Sequence, residues 1–196
     1  MFNRQDDSAD EAFYSTPRMV NHIDDATINE ITRFYQETLT PEDELLDLMS
    51  SWVSHLPVDV TYRKVTGLGM NLDELNANAL LDQVLVHNLN KTPTLPFSDA
   101  SFNAVMIVVS IQYLTRPFEV FKEIQRVLKP GGRCIVAMSH RLFPTKAIYA
   151  FQTLAPQDRV QLVKEYMRRG GLSEIEFIDR SPEKADPLWI IQGINS

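Results

Sequence analysis

The chain has 196 residues, 44% of them hydrophobic, and a formal net charge of -7, which suits one globular domain burying about two-thirds of its unfolded surface. The acidic balance, with no dense Lys/Arg cluster, argues against a nucleic-acid partner, and a single cysteine excludes an internal disulfide or a cysteine-based zinc cluster. The longest apolar run, Ala104 to Val109, is far shorter than the roughly 20 residues that span a bilayer, and the N-terminus lacks a basic, apolar signal sequence, so a soluble, cytoplasmic chain is expected.

Residues 1–12, "MFNRQDDSADEA", are polar and acidic and are expected to form a flexible arm, with one domain following over 13–196. "TINEITRFYQETL" sets Ile28, Ile31, Phe34, Tyr35 and Leu39 at helical spacing, and "TPEDE" then breaks the chain. Strand-like runs follow at 44–48, 61–67, 83–87, 103–110 and 133–139, alternating with helix-like stretches at 71–80 and 117–128. Cys134 lies inside the apolar run at 133–139, where a packed core thiol is expected. Apolar β-branched runs such as "AVMIVVS" describe strands buried on both faces of a mostly parallel sheet. A further helix over about 145–168 ends at Gly170-Gly171, and "SEIEFIDRS" and "DPLWIIQGI" are placed to close the fold as an antiparallel hairpin. The pattern predicts a Rossmann-like, doubly wound α/β domain with a mostly parallel seven-stranded sheet.

In "FEVFKEIQRVLKPGGRCIVAMS", an amphipathic helix carrying Phe118, Phe121, Ile124 and Leu128 meets Lys-Pro-Gly-Gly, where proline stops the helix and glycine permits a tight entry into the next strand. A helix-to-strand turn explains this string without any chemistry. Yet the longer stretch "LPFSDASFNAVMIVVSIQYLTRPFEVFKEIQRVLKPGGRCIV" resembles the class I S-adenosylmethionine-dependent methyltransferases of the type 11-like group, and the resemblance covers residues 44 to 140. "ELLDLMSSW" falls on that family's first motif, usually "VLDLGCGTG", and "KVTGLGMNLDEL" falls on its second strand and following turn. Both depart from the usual pattern. Met49, Ser51 and Val53 replace three glycines, Gly69 stands where a ribose-holding acid is expected, and Asn88 stands where an Asp often meets the adenine. The strings from Ser50 ("SSWVSHLP"), Gly69 ("GMN") and Phe143 ("FPTKA") resemble a less typical branch of the family.

The resemblance implies S-adenosylmethionine as cofactor, held by the turn after the first strand, the turn after the second, and the ends of the third and fourth. On this sequence those positions are Asp47, Met49, Ser50 and Ser51; Gly67, Gly69, Met70 and Asn71; Asn88 and Leu89; and Ser110. Ser50 and Ser51 can donate hydroxyls to the methionine carboxylate in place of backbone N–H groups, or cap a short helix over 51–56. Asp47 is expected to organise the loop by accepting hydrogen bonds. Losing a charge-assisted bond at Gly69 weakens binding by roughly ten- to hundredfold unless a neighbour takes over; Asn71 and Asp73 are candidates, Asn71 also reading as a helix cap. Asn88 offers a carbonyl to the adenine amine or serves a strand-end turn, and Gly67 and Gly69 admit a ligand close to the backbone or only make turns. Trp52 is expected in the core and Tyr113 beside the sulfonium.

The implied reaction is in-line methyl transfer to a small-molecule acceptor, which positioning can drive without a fixed triad. If a hydroxyl is methylated, His55, His140 or His22 can take its proton, with Tyr113 a further candidate, although lone histidines are commonly structural. Arg141 and Lys146 beside His140 either meet an acidic substrate or face solvent. In similar proteins the N-terminal helical segment, here 13–43, serves as a lid, and "PRMVNHIDD" at 17–25 covers the ligand or is a surface loop. The rival reading is a catalytically silent, methyltransferase-like binding or scaffold protein, favoured by the missing glycines and ribose acid. A nicotinamide dehydrogenase is disfavoured because no G-x-G-x-x-G loop is present.

Overall fold

The computed structural model describes all residues 1–196. Seven strands form one sheet in the order β3-β2-β1-β4-β5-β7-β6. The strands are β1 (Glu44–Ser50), β2 (Lys64–Gly69), β3 (Gln83–Val86), β4 (Phe102–Val108), β5 (Leu128–Met138), β6 (Ser173–Asp179) and β7 (Trp189–Ile194). The first five pair in parallel, while β7 runs antiparallel to both β5 and β6, giving the expected doubly wound sheet with a closing hairpin. From β1 the chain winds outward to β2 and β3, then returns to place β4 on the other side. The reversal opens a crevice at the carboxyl ends of β1 and β4, the place where open α/β sheets hold ligands.

The central strands read as continuous apolar runs because both sheet faces are covered. On one face, α4 (Pro117–Val127) and α6 (Pro156–Gly170) pack together over a cluster of 27 buried residues that includes Val105, Ile107, Phe121, Ile124 and Tyr166. On the other, α2 (Asp25–Thr38) turns Ile31, Phe34 and Tyr35 onto Leu45, Val65 and Met106. Asp24 caps α2 by accepting the Thr27 N–H at 2.9 Å. Cys134 is fully buried.

Four elements differ from the sequence expectation; one is β5, which begins at Leu128, expected on the preceding helix, rather than at residue 133. β2 begins at Lys64, where pairing with Glu44 starts, rather than at residue 61. The long helix expected over 145–168 is split into α5 (Tyr149–Thr153) and α6, with Pro156 at the first turn of α6, where its missing N–H costs no intrahelical bond. Residues 51–60 form no helix, which removes the capping role considered for Ser50 and Ser51. The turn after β2 does lead into a helix, α3 (Leu72–Ala77).

Residues 1–12 lie against the domain. Phe2 meets Phe118 edge-on at 5.7 Å, and Arg4 pairs with buried Asp10 at 2.6 Å within the stretch that leads into the short helix α1 (Asp10–Phe13). Lys146, which is 0% exposed, donates to the Ser8 carbonyl at 2.8 Å and lies 3.2 Å from Asp6 and 3.5 Å from Asp10. Lys146 therefore neither faces solvent nor reaches the crevice; it holds down the acidic N-terminal stretch. No helix is long and apolar enough to cross a membrane.

Candidate active site

A cavity of about 300 Å³ occupies the crevice, at the lower end of the range for small-molecule sites. Its floor is the loop after β1. Met49 and His55 hold φ of 61° and 56°, a left-handed conformation that non-glycine residues rarely adopt. Met49 thus keeps the backbone geometry that a glycine would supply, while its side chain packs against the larger core cluster and leaves the cavity open.

Side-chain bonds hold this loop where a glycine-rich turn would use its backbone. Buried Asp47 accepts from Ser50 Oγ and Ser54 Oγ, both at 2.6 Å. Burial pushes its carboxyl up to about 6, against the lowering effect of those two hydroxyls. Asn78 donates to Ser54 Oγ at 2.8 Å and to the Ser51 carbonyl at 3.1 Å. Ser51 donates to Glu74 Oε2 at 2.6 Å. Asp47 is the expected loop organiser, but the hydroxyl hydrogens of Ser50 and Ser51 are already committed within the protein and are not free donors for a ligand carboxylate.

The end of β2 explains its two glycines differently. A Cβ on Gly69 would lie 2.2 Å from the Ser50 carbonyl oxygen, so this position must be glycine for the two loops to meet. Gly67 faces Leu81 and does not line the cavity, contrary to the expectation that it admits a ligand. Asn71 is in the wall, but its Oδ1 caps α3 by accepting the Glu74 N–H at 3.1 Å and its Nδ2 donates to the Tyr14 carbonyl at 2.8 Å. Asp73 is exposed and outside the cavity. The acid of this turn that does line it is Glu74, only 8% exposed, which sequence reasoning missed. Its signal was the Asn-Leu-Asp-Glu spacing from Asn71, a capping-box pattern, although here Glu74 turns to Ser51 and to the Arg18 N–H at 2.8 Å.

Met70 and Leu89 add apolar wall. Asn88 is a turn residue: its Oδ1 accepts the Asn90 and Lys91 N–H groups at 3.0 and 3.2 Å, and its Nδ2 donates to Glu11, so its carbonyl is not free for an adenine amine. Ser110 lines the cavity with a buried Oγ that has no partner. Tyr113 accepts the Phe143 N–H at 2.8 Å, and their rings stack at 5.8 Å. Trp52, expected in the core, lies at the cavity wall and donates to the Val20 carbonyl at 3.1 Å, because the loop that carries it is extended rather than helical.

Residues 14–23 supply the facing wall through Tyr14, Arg18, Asn21 and His22. The Arg18 guanidinium lies 4.5 Å from the Phe13 ring centroid and 5.6 Å from that of Phe143. Of the catalytic candidates, His55, Tyr113 and His22 share the cavity, whereas His140 stands outside it, 3.1 Å from Asp186. Asp186 also receives Arg141 at 2.9 Å, so Arg141 reaches the wall already paired. Burial depresses His22, and takes His55 down to about 4, leaving the His55 imidazole neutral near physiological pH.

Residues 52–136 match the family described as "Methyltransferase domain". Among curated proteins, the chain is 27% identical over 96 residues to a ubiquinone/menaquinone biosynthesis C-methyltransferase of Laribacter hongkongensis, covering 46% of this chain and 39% of that protein. In each of the first curated relatives the matched stretch spans well under half of that protein's length. A methyltransferase structure from Aquifex aeolicus superimposes with a TM-score of 0.63 at 13% identity, covering 87% of this chain and 92% of that one. The Haemonchus contortus phosphoethanolamine N-methyltransferase 2, solved with S-adenosyl-L-methionine, gives 0.58 at 13% identity over 86% of this chain and 51% of its own. At these identities the structural likeness is one of fold.

Proposed function

We propose that this chain, a class I S-adenosylmethionine-dependent methyltransferase by its matched domain and its fold, transfers a methyl group to a small-molecule acceptor bound in the cavity at the β1/β4 crevice. The observation that carries this reading is the open cavity itself. It persists although Met49, Ser51 and Val53 stand in the loop that usually carries glycine.

The residues present fit the cofactor. Glu74 is a carboxylate in the cavity wall beside the end of β2, suited to accept from a ribose diol in place of the acid absent at Gly69. Ser110 contributes a buried hydroxyl with nothing to bond, which a polar ligand atom would satisfy. Met49, Met70 and Leu89 supply apolar surface for a flat base. When bound, the cofactor supplies an electrophilic methyl group on a cationic sulfur.

What the chain contributes is placement and shielding. The aromatic faces of Trp52 and Tyr113 favour a cation nearby by about 0.5 to 2 kcal/mol each. Residues 14–23 cover the cavity and exclude water from the reacting groups, tied down through Asn71, Glu74 and Trp52. Orienting the acceptor lowers the barrier by making the reaction effectively unimolecular. Incubating the full chain with labelled S-adenosylmethionine and a fractionated metabolite extract tests the proposal. Formation of S-adenosylhomocysteine that depends on one fraction is expected; no turnover with any fraction contradicts it.

A further inference from the structure

The four histidines of the chain divide by how they spend their ring nitrogens. His87 Nε2 bonds the Thr92 carbonyl at 2.7 Å, His140 pairs with Asp186, and His22, also without a hydrogen bond, packs edge-on against Phe143 at 5.2 Å on the covering segment. His55 has no hydrogen bond at either nitrogen, and its Nδ1 is fully enclosed without a partner. Its backbone is nonetheless fixed: φ is 56°, and its carbonyl accepts Thr32 Oγ1 of α2 at 2.9 Å. A left-handed non-glycine residue held by a neighbouring helix, with its ring in a cavity wall and unbonded, is placed for a ligand rather than for the fold.

The other groups of the cavity narrow what that ligand is. Tyr113 and Phe143 stack as one aromatic wall, and Trp52 stands on the β1 loop three residues before His55. Arg18, against Phe143, has no carboxylate partner; its guanidinium donates only to the Thr16 and Phe13 carbonyls. Aromatic walls suit a planar molecule, and an unpaired cation favours one on which negative charge develops at oxygen.

Resting on the methyl-transfer reading, we propose that His55 is the general base and that the acceptor is a planar, uncharged molecule whose phenolic or enolic hydroxyl is held by His55 in the cavity that Arg18 also lines. The hydroxyl O–H bond breaks and its proton passes to His55 Nε2, the ring nitrogen that is not enclosed. The oxygen's electron pair forms the new bond to the methyl carbon as the carbon–sulfur bond breaks, that pair remaining on sulfur. Burial leaves the imidazole unprotonated but weakly basic, so the proton moves to it as the methyl group transfers rather than beforehand.

The test uses the full chain, 4-nitrophenol as probe, and a pH below the probe's own ionisation. Binding is expected to leave the probe in its phenol form and to shift the His55 resonances in a histidine-labelled sample, through a hydrogen bond from the probe's hydroxyl to the ring. His55→Asn keeps a residue that tolerates positive φ, and is expected to weaken probe binding by roughly three- to tenfold. A wild-type chain whose His55 resonances stay unmoved at saturating probe would overturn the proposal, whether or not the variant folds; so would unchanged probe affinity in a folded variant. Calorimetry of the wild-type chain with S-adenosylmethionine separates the two readings. Binding of the cofactor without engagement of His55 removes this proposal alone, and no cofactor binding removes both.

Discussion

Ser51 donates its hydroxyl hydrogen to Glu74 across 2.6 Å, joining the loop after β1 to the helix after β2 at the mouth of the crevice. The same carboxylate receives the Arg18 N–H from the covering segment, so one acid links three parts of the cavity wall. Glu74→Gln retains the shape but removes the charge. It is expected to weaken S-adenosylmethionine binding by roughly ten- to hundredfold, the value of about 1.5–3 kcal/mol for a charge-assisted bond, as measured by calorimetry. Affinity within twofold of wild type would assign the ribose to another group.

The two glycines of β2 separate packing from site. Gly69→Ala drives a Cβ to within 2.2 Å of a backbone carbonyl that cannot rotate away, whereas Gly67→Ala meets the flexible end of Leu81. Denaturant unfolding should show Gly69→Ala costing about 3 kcal/mol or more and Gly67→Ala about 1–2 kcal/mol. Equal costs would contradict the close approach of the two loops.

Asp47 makes stability depend on pH in a particular direction. Its folded-state value is raised from 3.8 to about 6, so between those values the folded chain holds a proton that the unfolded chain has lost. This contribution is greatest below pH about 4, declines by about 3 kcal/mol as pH rises to about 6, and is flat above that. Asp47→Asn should abolish this segment of the stability–pH curve in urea titrations; a variant curve parallel to wild type throughout would contradict the burial of an ionisable Asp47.

Lys146 tests how the N-terminal stretch is held. Its ammonium is buried against Asp6, Asp10 and the Ser8 carbonyl. Lys146→Met leaves Asp10 with Arg4 as its only cation, beside the Asn90 amide, and is expected to cost about 3 kcal/mol, lowering Tm by several degrees. Limited proteolysis should then cut within residues 1–20 first. A variant as resistant as wild type would show that the segment is held by Phe2 and its aromatic neighbours instead.

The fold was legible because its strands are apolar on both faces and its helices carry a clear stripe, as in Val120, Phe121, Ile124 and Val127 of α4. Periodicity could not place Pro156 as the start of a new helix, since a proline inside a helical pattern is read equally as a kink or a first turn. The site was legible as a place rather than as a set of contacts. Asp47 could be singled out as loop organiser from its position at a strand end. The partners of Ser51 and Asn88 could not, because polar side chains choose between ligand and protein according to neighbours distant in sequence: Glu74 lies 23 residues from Ser51, and Glu11 lies 77 from Asn88. Trp52 was misplaced for a related reason, since its loop is shaped by Asp47 and Asn78 rather than by local helix propensity.

The account depends most on whether the crevice accepts an adenosyl group beside Glu74. A crystal of the full chain grown with millimolar S-adenosylhomocysteine tests this directly. The ligand is expected in the cavity with its ribose hydroxyls within hydrogen-bond distance of Glu74 and a polar atom on Ser110 Oγ. A cavity that stays empty under those conditions, with Met49 or residues 14–23 filling it, would contradict the account.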